Sequence, residues 1–203
     1  MRGIPATLRK GSGRSREAEY ETRSYMMPEL MLCKPSAEYL AQIKAYRQEY
    51  ANCLDWLHGA QGLKRFEEPQ DWLHYLTLCE NDMTVPEGEH KYAQFLYVRS
   101  ADQKIVGMTG VRLKPIGPLE TWGGHVGFSV SPSERRKGYA TQMLHEVLPY
   151  CKGLGLKRVL LTAGDENIGS VKAIVANGGV LESHVMSPKH HVMVGRYWIT
   201  LPD

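Results

Sequence analysis

Long apolar runs are missing from this chain of 203 residues. No window approaches the roughly 18 consecutive apolar residues that a membrane-spanning helix needs, and the first 25 residues hold no apolar stretch of signal-peptide length. Cysteine is sparse and dispersed: Cys33, Cys53, Cys79 and Cys151 form no CxxC pair. That spacing excludes a zinc-finger ligand set and a compact disulfide framework, and points to the reducing cytoplasm. Two phosphate-binding fingerprints are absent as well, the GxxxxGK(S/T) loop and the GxGxxG dinucleotide turn. Charge of one sign is also scarce. The formal net charge is +3, and in the first 23 residues six Arg or Lys already face three Glu, so nothing argues for a nucleic-acid-binding surface on the remainder.

What is present is ordinary for a globular protein: 42% hydrophobic and 23% charged residues, in a length that suits one domain. Residues 1–25 read as a basic, flexible tail without an apolar period, with Met26 or Met27 as an alternative start. Residues 26–203 read as a single domain. Leu30 to Cys33 suggests a short strand before Pro35, and Ser36 is placed to cap a helix carrying Leu40, Ile43 and Tyr50. A second helix is expected over 69–79, where Trp72, Leu73, Leu76 and Cys79 recur every three or four residues. Trp56, Leu57, His58, Gly59 and Phe66 fall in the loop between them. Tyr92–Arg99 and Ile105–Lys114 read as a hairpin across a five-residue polar turn.

The stretch from His125 to Ser183 is the most informative. HVGFSV is a strand ended by Pro132. RRKGYA opens a helix whose apolar stripe is Ala140, Met143, Leu144, Val147, Leu148 and Cys151, with Gly153 as its stop. A strand, Val159–Thr162, follows, then DENIGS opens another helix. Strand, helix and strand in this order make a right-handed crossover, which predicts a parallel pair. Val180–Met186 and Val192–Leu201 then close the sheet as an antiparallel pair. A helix N-terminus preceded by Gly138, with Arg135, Arg136 and Lys137 beside it, offers unpaired N–H groups, close backbone approach and positive charge. That combination suits a pyrophosphate.

RRKGYA at Arg135–Ala140, Asn167 and Ser170 in DENIGS, and NGGV at Asn177–Val180 together resemble the GCN5-related N-acetyltransferases over about Lys91–Leu201. The resemblance implies an α+β fold with a mixed, mostly antiparallel sheet of six to seven strands, one central parallel pair and about four flanking helices. It implies that the two parallel strands splay apart to admit the pantetheine arm of acetyl-CoA, the co-substrate. It further implies that the cofactor is held by Phe128, Ser129 and Val130 of the strand, by Arg135, Arg136, Lys137, Gly138, Tyr139, Ala140 and Thr141 of the turn, and by Asn167 and Ser170. The loop around Trp56 would border the acceptor site.

The chemistry so implied is attack of a neutral amine on a thioester, which needs a base, an oxyanion donor and a proton for the leaving thiolate. A backbone N–H in Phe128–Val130 serves the oxyanion. Many relatives carry a tyrosine seven residues after the asparagine as the acid. This chain has Ile174, which resembles the branch that includes the ribosomal-protein acetyltransferases. Ser170 is then the nearest hydroxyl, although its placement favours a local role, bonding the helix start. Glu120 and His125 are the candidate bases. His190 and His191 look like metal ligands, but strand neighbours point to opposite faces, so no metal is expected. The resulting expectation is an acetyl-CoA-dependent N-acetyltransferase that uses a primary amine on a small molecule, an amino acid or a protein, with a homodimer as a candidate assembly and no nucleic-acid or membrane partner. The alternative is an acyl-CoA-binding sensor or interaction module of the same fold without turnover.

Overall fold

The computed structural model describes residues 29–53, 55–115, 117–188 and 191–202; the N-terminal tail and His190 lie outside them. Strand β1 (Leu30–Cys33) leads through a short 3-10 turn into helix α1 (Leu40–Ala51). Ser36 does not cap as expected: its hydroxyl donates to Glu38 at 2.9 Å, while its carbonyl accepts the Tyr39 N–H. Helix α2 (Pro69–Cys79) starts with proline at its first position, where no N–H is missed. Ile43, Tyr46 and Tyr50 of α1 and Trp72, Leu76 and Cys79 of α2 are buried in one core against β2 and β3.

β2 (Tyr92–Arg99) and β3 (Lys104–Arg112) form the expected hairpin, and β4 (Val126–Val130) adds antiparallel to β3, so the first sheet has the order β1-β2-β3-β4. The glycine-rich link before β4 contains a short helix, α3 (Pro118–Trp122), again begun by proline. After the Arg135–Gly138 turn, α4 (Tyr139–Gly153) buries Met143, Leu144, Val147 and Cys151. Gly155, not Gly153, ends it. The backbone reverses there at φ +84°, with the Gly155 N–H on the Lys152 carbonyl.

The remaining elements are β5 (Arg158–Gly164), α5 (Ile168–Ala176), β6 (Val180–Ser187) and β7 (Val192–Thr200). They build a second antiparallel sheet in the order β5-β7-β6. Phe95, Val111 and Val126 of the first sheet share a core with Leu144, Val159, Ile174 and Tyr197, which locks the two sheets together. His191 sits in a turn at φ +53° and not on a strand, which corrects the basis on which the histidine pair was read.

The parallel pair expected from the crossover, β4 and β5, does not form a ladder. They touch at one end only, where the His125 N–H donates to the Leu160 carbonyl (2.8 Å), the Leu160 N–H to His125 Nδ1 (3.0 Å), and Thr162 Oγ1 to the Trp122 carbonyl (2.8 Å). Beyond that clasp the strands diverge, and the space between them is open.

Beside the gap lies a buried acid. Glu134 is 5% exposed and meets Arg99 (2.8 Å), Lys104 (2.9 Å) and Lys137 (2.7 Å). Burial alone raises a carboxyl pKa, but the bonds from Lys137, Lys104 and Arg99 outweigh it and hold Glu134 down from 4.5 to about 2. A depressed folded-state value stabilises the protein above the unfolded pKa and is lost as pH falls through the folded one. The difference amounts to roughly 3 kcal/mol. Glu134→Gln is therefore expected to be less stable than the wild type at pH 7, with the gap closing as pH falls from about 4.5 to about 2. Urea melts across that window measure it, and a pH-independent difference would contradict the assignment.

Candidate active site

Backbone alternation decides what β4 presents to the gap. In an antiparallel ladder, alternate residues bond to the partner strand while those between face the other way. Arg112 N–H reaches the His125 carbonyl (2.8 Å) and Ser131 N–H reaches the Val106 carbonyl (2.9 Å), so 125, 127, 129 and 131 pair with β3. Val126, Phe128 and Val130 therefore turn their N–H and C=O groups to the open side. The Tyr50 hydroxyl donates to the Val130 carbonyl there, at 2.7 Å. Phe128 and Val130 thus offer backbone donors to whatever lies in the cleft.

Two cavities occupy the cleft, of about 660 and about 760 Å³. Both are bounded by Trp56, His58, Phe128, Glu166, Asn167 and Ser170, so they meet at the middle of β4. The larger one runs past Ser129 and Val130 to Arg135, Arg136 and the Gly138–Thr141 turn. Gly138 (φ +84°) is the N-cap of α4 and offers no side-chain bond to it, so the first N–H groups of the helix are left to an anion. The smaller cavity opens on the other side, between Trp56, Arg112 and Trp122 and the turn and strand residues Asp165, Ser187 and Met193.

The three cations of the turn do not act alike. Arg135 pairs with Asp55 and lies over the Tyr50 ring, with the centroid 5.6 Å away. Lys137 is drawn to Glu134 and is not part of the cavity wall, which departs from the expectation that it faces the ligand. Arg136, at φ +64°, does line the cleft. Asn167 and Ser170 stand at the junction as a unit: Asn167 Oδ1 accepts the Ser170 N–H at 3.1 Å and caps α5, leaving the amide nitrogen as a donor. Ile174 is fully buried in the core and presents no group to the cleft.

Both base candidates from the sequence lie elsewhere. His125 belongs to the clasp, and the N–H it receives on Nδ1 requires that nitrogen to carry no proton. Burial pushes its pKa below the ordinary histidine value, which agrees with a neutral, structural ring. Glu120 is exposed on α3; its backbone carbonyl accepts from Arg196 at 2.7 Å and its N–H donates to the Gly117 carbonyl at 3.0 Å. Neither residue lines a cavity. The structure instead brings in Tyr50, Asp55 and Ser187, none of which sits in a motif, Asp165 and Glu166 from DENIGS, to which the sequence assigned no role, and His58, which the sequence left in a loop. Gly59 next to it was the legible signal. A Cβ there would lie 2.3 Å from the Gly127 carbonyl oxygen and 2.7 Å from Phe128 Cα, so only glycine lets that loop rest on β4. No group of three metal-ligating side chains exists among the described residues.

The acetyltransferase (GNAT) family model matches residues 44–177. The chain belongs to this family. It is accordingly an acetyltransferase with acetyl-CoA as its co-substrate, and the cleft fits that molecule, with free helix N–H groups at one end and strand-edge donors at the other. Among solved structures it is similar to the ribosomal-protein-S5-alanine acetyltransferase of Vibrio fischeri (TM-score 0.65, 18% identity, 86% of this chain and 94% of that one). Mycobacterium smegmatis RimJ in complex with CoA-disulfide gives a TM-score of 0.63 at 20% identity, covering 86% of this chain and 84% of that one. The dodecameric spermidine N-acetyltransferase of Vibrio cholerae gives 0.55 at 16% identity, covering 84% and 93%. At these identities the likeness is one of fold. No curated protein matches the chain in sequence. No helix among the described residues is long and apolar enough to cross a membrane.

Gly138→Asp places a side chain at a positive φ and a negative charge against the free N–H groups of α4. It is expected to abolish acetyl-CoA binding in calorimetry while the melting temperature stays within a few degrees. Unchanged affinity would remove the turn from the cofactor site.

Proposed function

We propose that this acetyltransferase moves the acetyl group of acetyl-CoA to a primary amine by direct attack in a ternary complex. The observation that carries this reading is the meeting of two cavities at the open edge of β4. One has the charge and backbone donors for a pyrophosphate and its pantetheine arm. The other gives an acceptor a separate approach, past Trp56 and Trp122, to the same point. A thioester held along the first places its carbonyl beside the free N–H groups of Phe128 and Val130, where negative charge develops on the oxygen during attack. The acceptor's own nitrogen supplies the electron pair, so no covalent enzyme intermediate is needed.

The acid is the weaker part of the machinery. Ile174 stands in the core at the position where a tyrosine would donate, so the thiolate takes its proton from Ser170 or from solvent. Because a thiol titrates near ~8.5, the thiolate is a tolerable leaving group at neutral pH without a strong donor. The same observation favours the second reading, a module that holds acyl-CoA without turnover. Release of free thiol separates them, since both bind acetyl-CoA and only an enzyme liberates CoA. Spermidine and an alanine-bearing peptide, after the spermidine and the ribosomal-protein-S5 alanine named for the two Vibrio proteins, form the first two arms of an amine panel. Release above the blank with one of them supports transfer. Binding with no release from any amine would favour the module.

Asn167→Ala removes both a cap and a donor at the junction. It is expected to cost ~1 kcal/mol of stability and to raise the Michaelis constant for acetyl-CoA more than that for the amine; a loss of stability with unchanged constants would leave Asn167 as a cap alone. Ile174→Val should leave turnover within twofold and lower stability by ~1 kcal/mol, read by the same thiol assay and a thermal melt.

A further inference from the structure

Attack by an amine on a thioester generates a positively charged nitrogen that must lose a proton, and with Glu120 and His125 outside the cleft the base has yet to be placed. It has to reach the junction of the two cavities. Of the six residues that bound both, Trp56, Phe128, Asn167 and Ser170 have no side chain that accepts a proton near neutrality. His58 and Glu166 remain. A free imidazole titrates near ~6.5 and a free Glu carboxyl near ~4.3, and the closer match to working pH makes the better proton acceptor.

The position of His58 is dictated by its neighbours. Gly59 lies directly against the Gly127 and Phe128 backbone, at φ +66°. Its carbonyl accepts from Gln94 Nε2 at 2.9 Å, a side chain that is 1% exposed and also bonds the Thr109 carbonyl of β3. One residue further on, the Ala60 carbonyl accepts from the buried Trp72 indole at 3.1 Å. The chain on the C-terminal side of His58 is thus pinned to the sheet and to α2. Adjacent Cα atoms are about 3.8 Å apart, so His58 is held within one residue of the strand that carries the Phe128 N–H. Glu166 lies on the β5–α5 turn and, like His58, is exposed.

Building on the acetyltransferase reading above, we infer that His58 is the general base of acetyl transfer. The amine lone pair forms the new C–N bond to the thioester carbonyl carbon, and the carbonyl pair moves to oxygen, facing the strand-edge N–H groups. An imidazole nitrogen of His58 takes one proton from the nitrogen, now cationic. The oxyanion collapses, the C–S bond breaks, and its electron pair leaves with sulfur, which solvent protonates. The charged groups along the two cavities are Asp55 on the same loop, Arg112 from β3, Glu134, Arg135 and Arg136 from the turn before α4, Asp165 and Glu166 from the β5–α5 turn, and Lys172 from α5.

The test is kcat/KM against pH for the wild type, His58→Ala, His58→Gln and Glu166→Gln, with an amine that turns over, alongside acetyl-CoA affinity by calorimetry and a thermal melt. Both His58 variants are expected to fold, to bind acetyl-CoA within about threefold of wild type, and to lose about a hundredfold in rate at pH 7. Their rising limb should move from the histidine range toward the ionisation of the amine itself. Added imidazole should restore part of the rate to His58→Ala and none to His58→Gln, whose side chain fills the space. A loss below about tenfold, an unmoved limb, or a larger loss in Glu166→Gln overturns the assignment. A wild type that binds acetyl-CoA but releases no thiol with any amine overturns the transferase reading and this base with it. Transfer that survives in His58→Ala sinks the base alone.

Discussion

β4 and β5 leave a common core side by side, are tied at one end by His125, Leu160 and Thr162, and then separate, and almost everything functional in the molecule follows from that divergence. A strand in a sheet interior has all its peptide groups paired. One whose neighbour moves away keeps a row of N–H and C=O groups that must find another partner. Tyr50 takes the Val130 carbonyl. The rest of the edge is available to a ligand at the place where both cavities converge. The clasp also explains why a histidine at the foot of the strand is not chemical: its Nδ1 is spent in holding the two sheets at the correct distance.

Charge is sorted around the same gap. Glu134, nearly excluded from water, collects Arg99, Lys104 and Lys137, and so fixes the turn between β4 and α4 from behind. Arg135 is tethered sideways by Asp55, which belongs to the loop after α1. The end of the cleft at the start of α4 is thereby left mostly to backbone donors and Arg136. Backbone donors are already aligned by the helix and lose no side-chain entropy on binding, so a turn built in this way recognises phosphate geometry more than charge. The same ion pairs connect the turn before α4 to β2, β3 and the loop after α1, which makes its position a property of the whole first sheet.

The loop from Trp56 to Leu63 joins the two halves of the site. It is anchored by Gln94 and Trp72 from beneath, and it closes over β4 through Gly59, whose missing side chain permits contact that any Cβ would forbid. Its outer residues, Trp56 and His58, face both cavities. A rigid floor with side chains projecting from it is how an acceptor and a thioester can be brought together at a fixed separation.

Much of the fold was legible in the chain because the signals are local. The three- and four-residue spacing of Trp72, Leu76 and Cys79, the two extended segments on either side of the polar turn at 100–104, and the proline and glycine punctuation mark elements within a few residues of where they occur. RRKGYA and Asn167 were legible for the same reason, since a helix N-terminus and its cap are made by contiguous residues. Gly153 misled by two residues and Ser36 by about one turn of helix, as several adjacent residues can end or begin one at similar cost. The walls of the active site were not legible. Tyr50 meets Val130 across 80 positions of sequence, Gln94 meets Gly59 across 35, and His125 meets Leu160 across 35. Composition and period determine which segments fold and which face each buries. Which histidine becomes a clasp and which reaches the cleft is decided only when distant strands pair and diverge, because that choice depends on burial and on the direction of individual backbone groups, neither of which one residue and its neighbours contain.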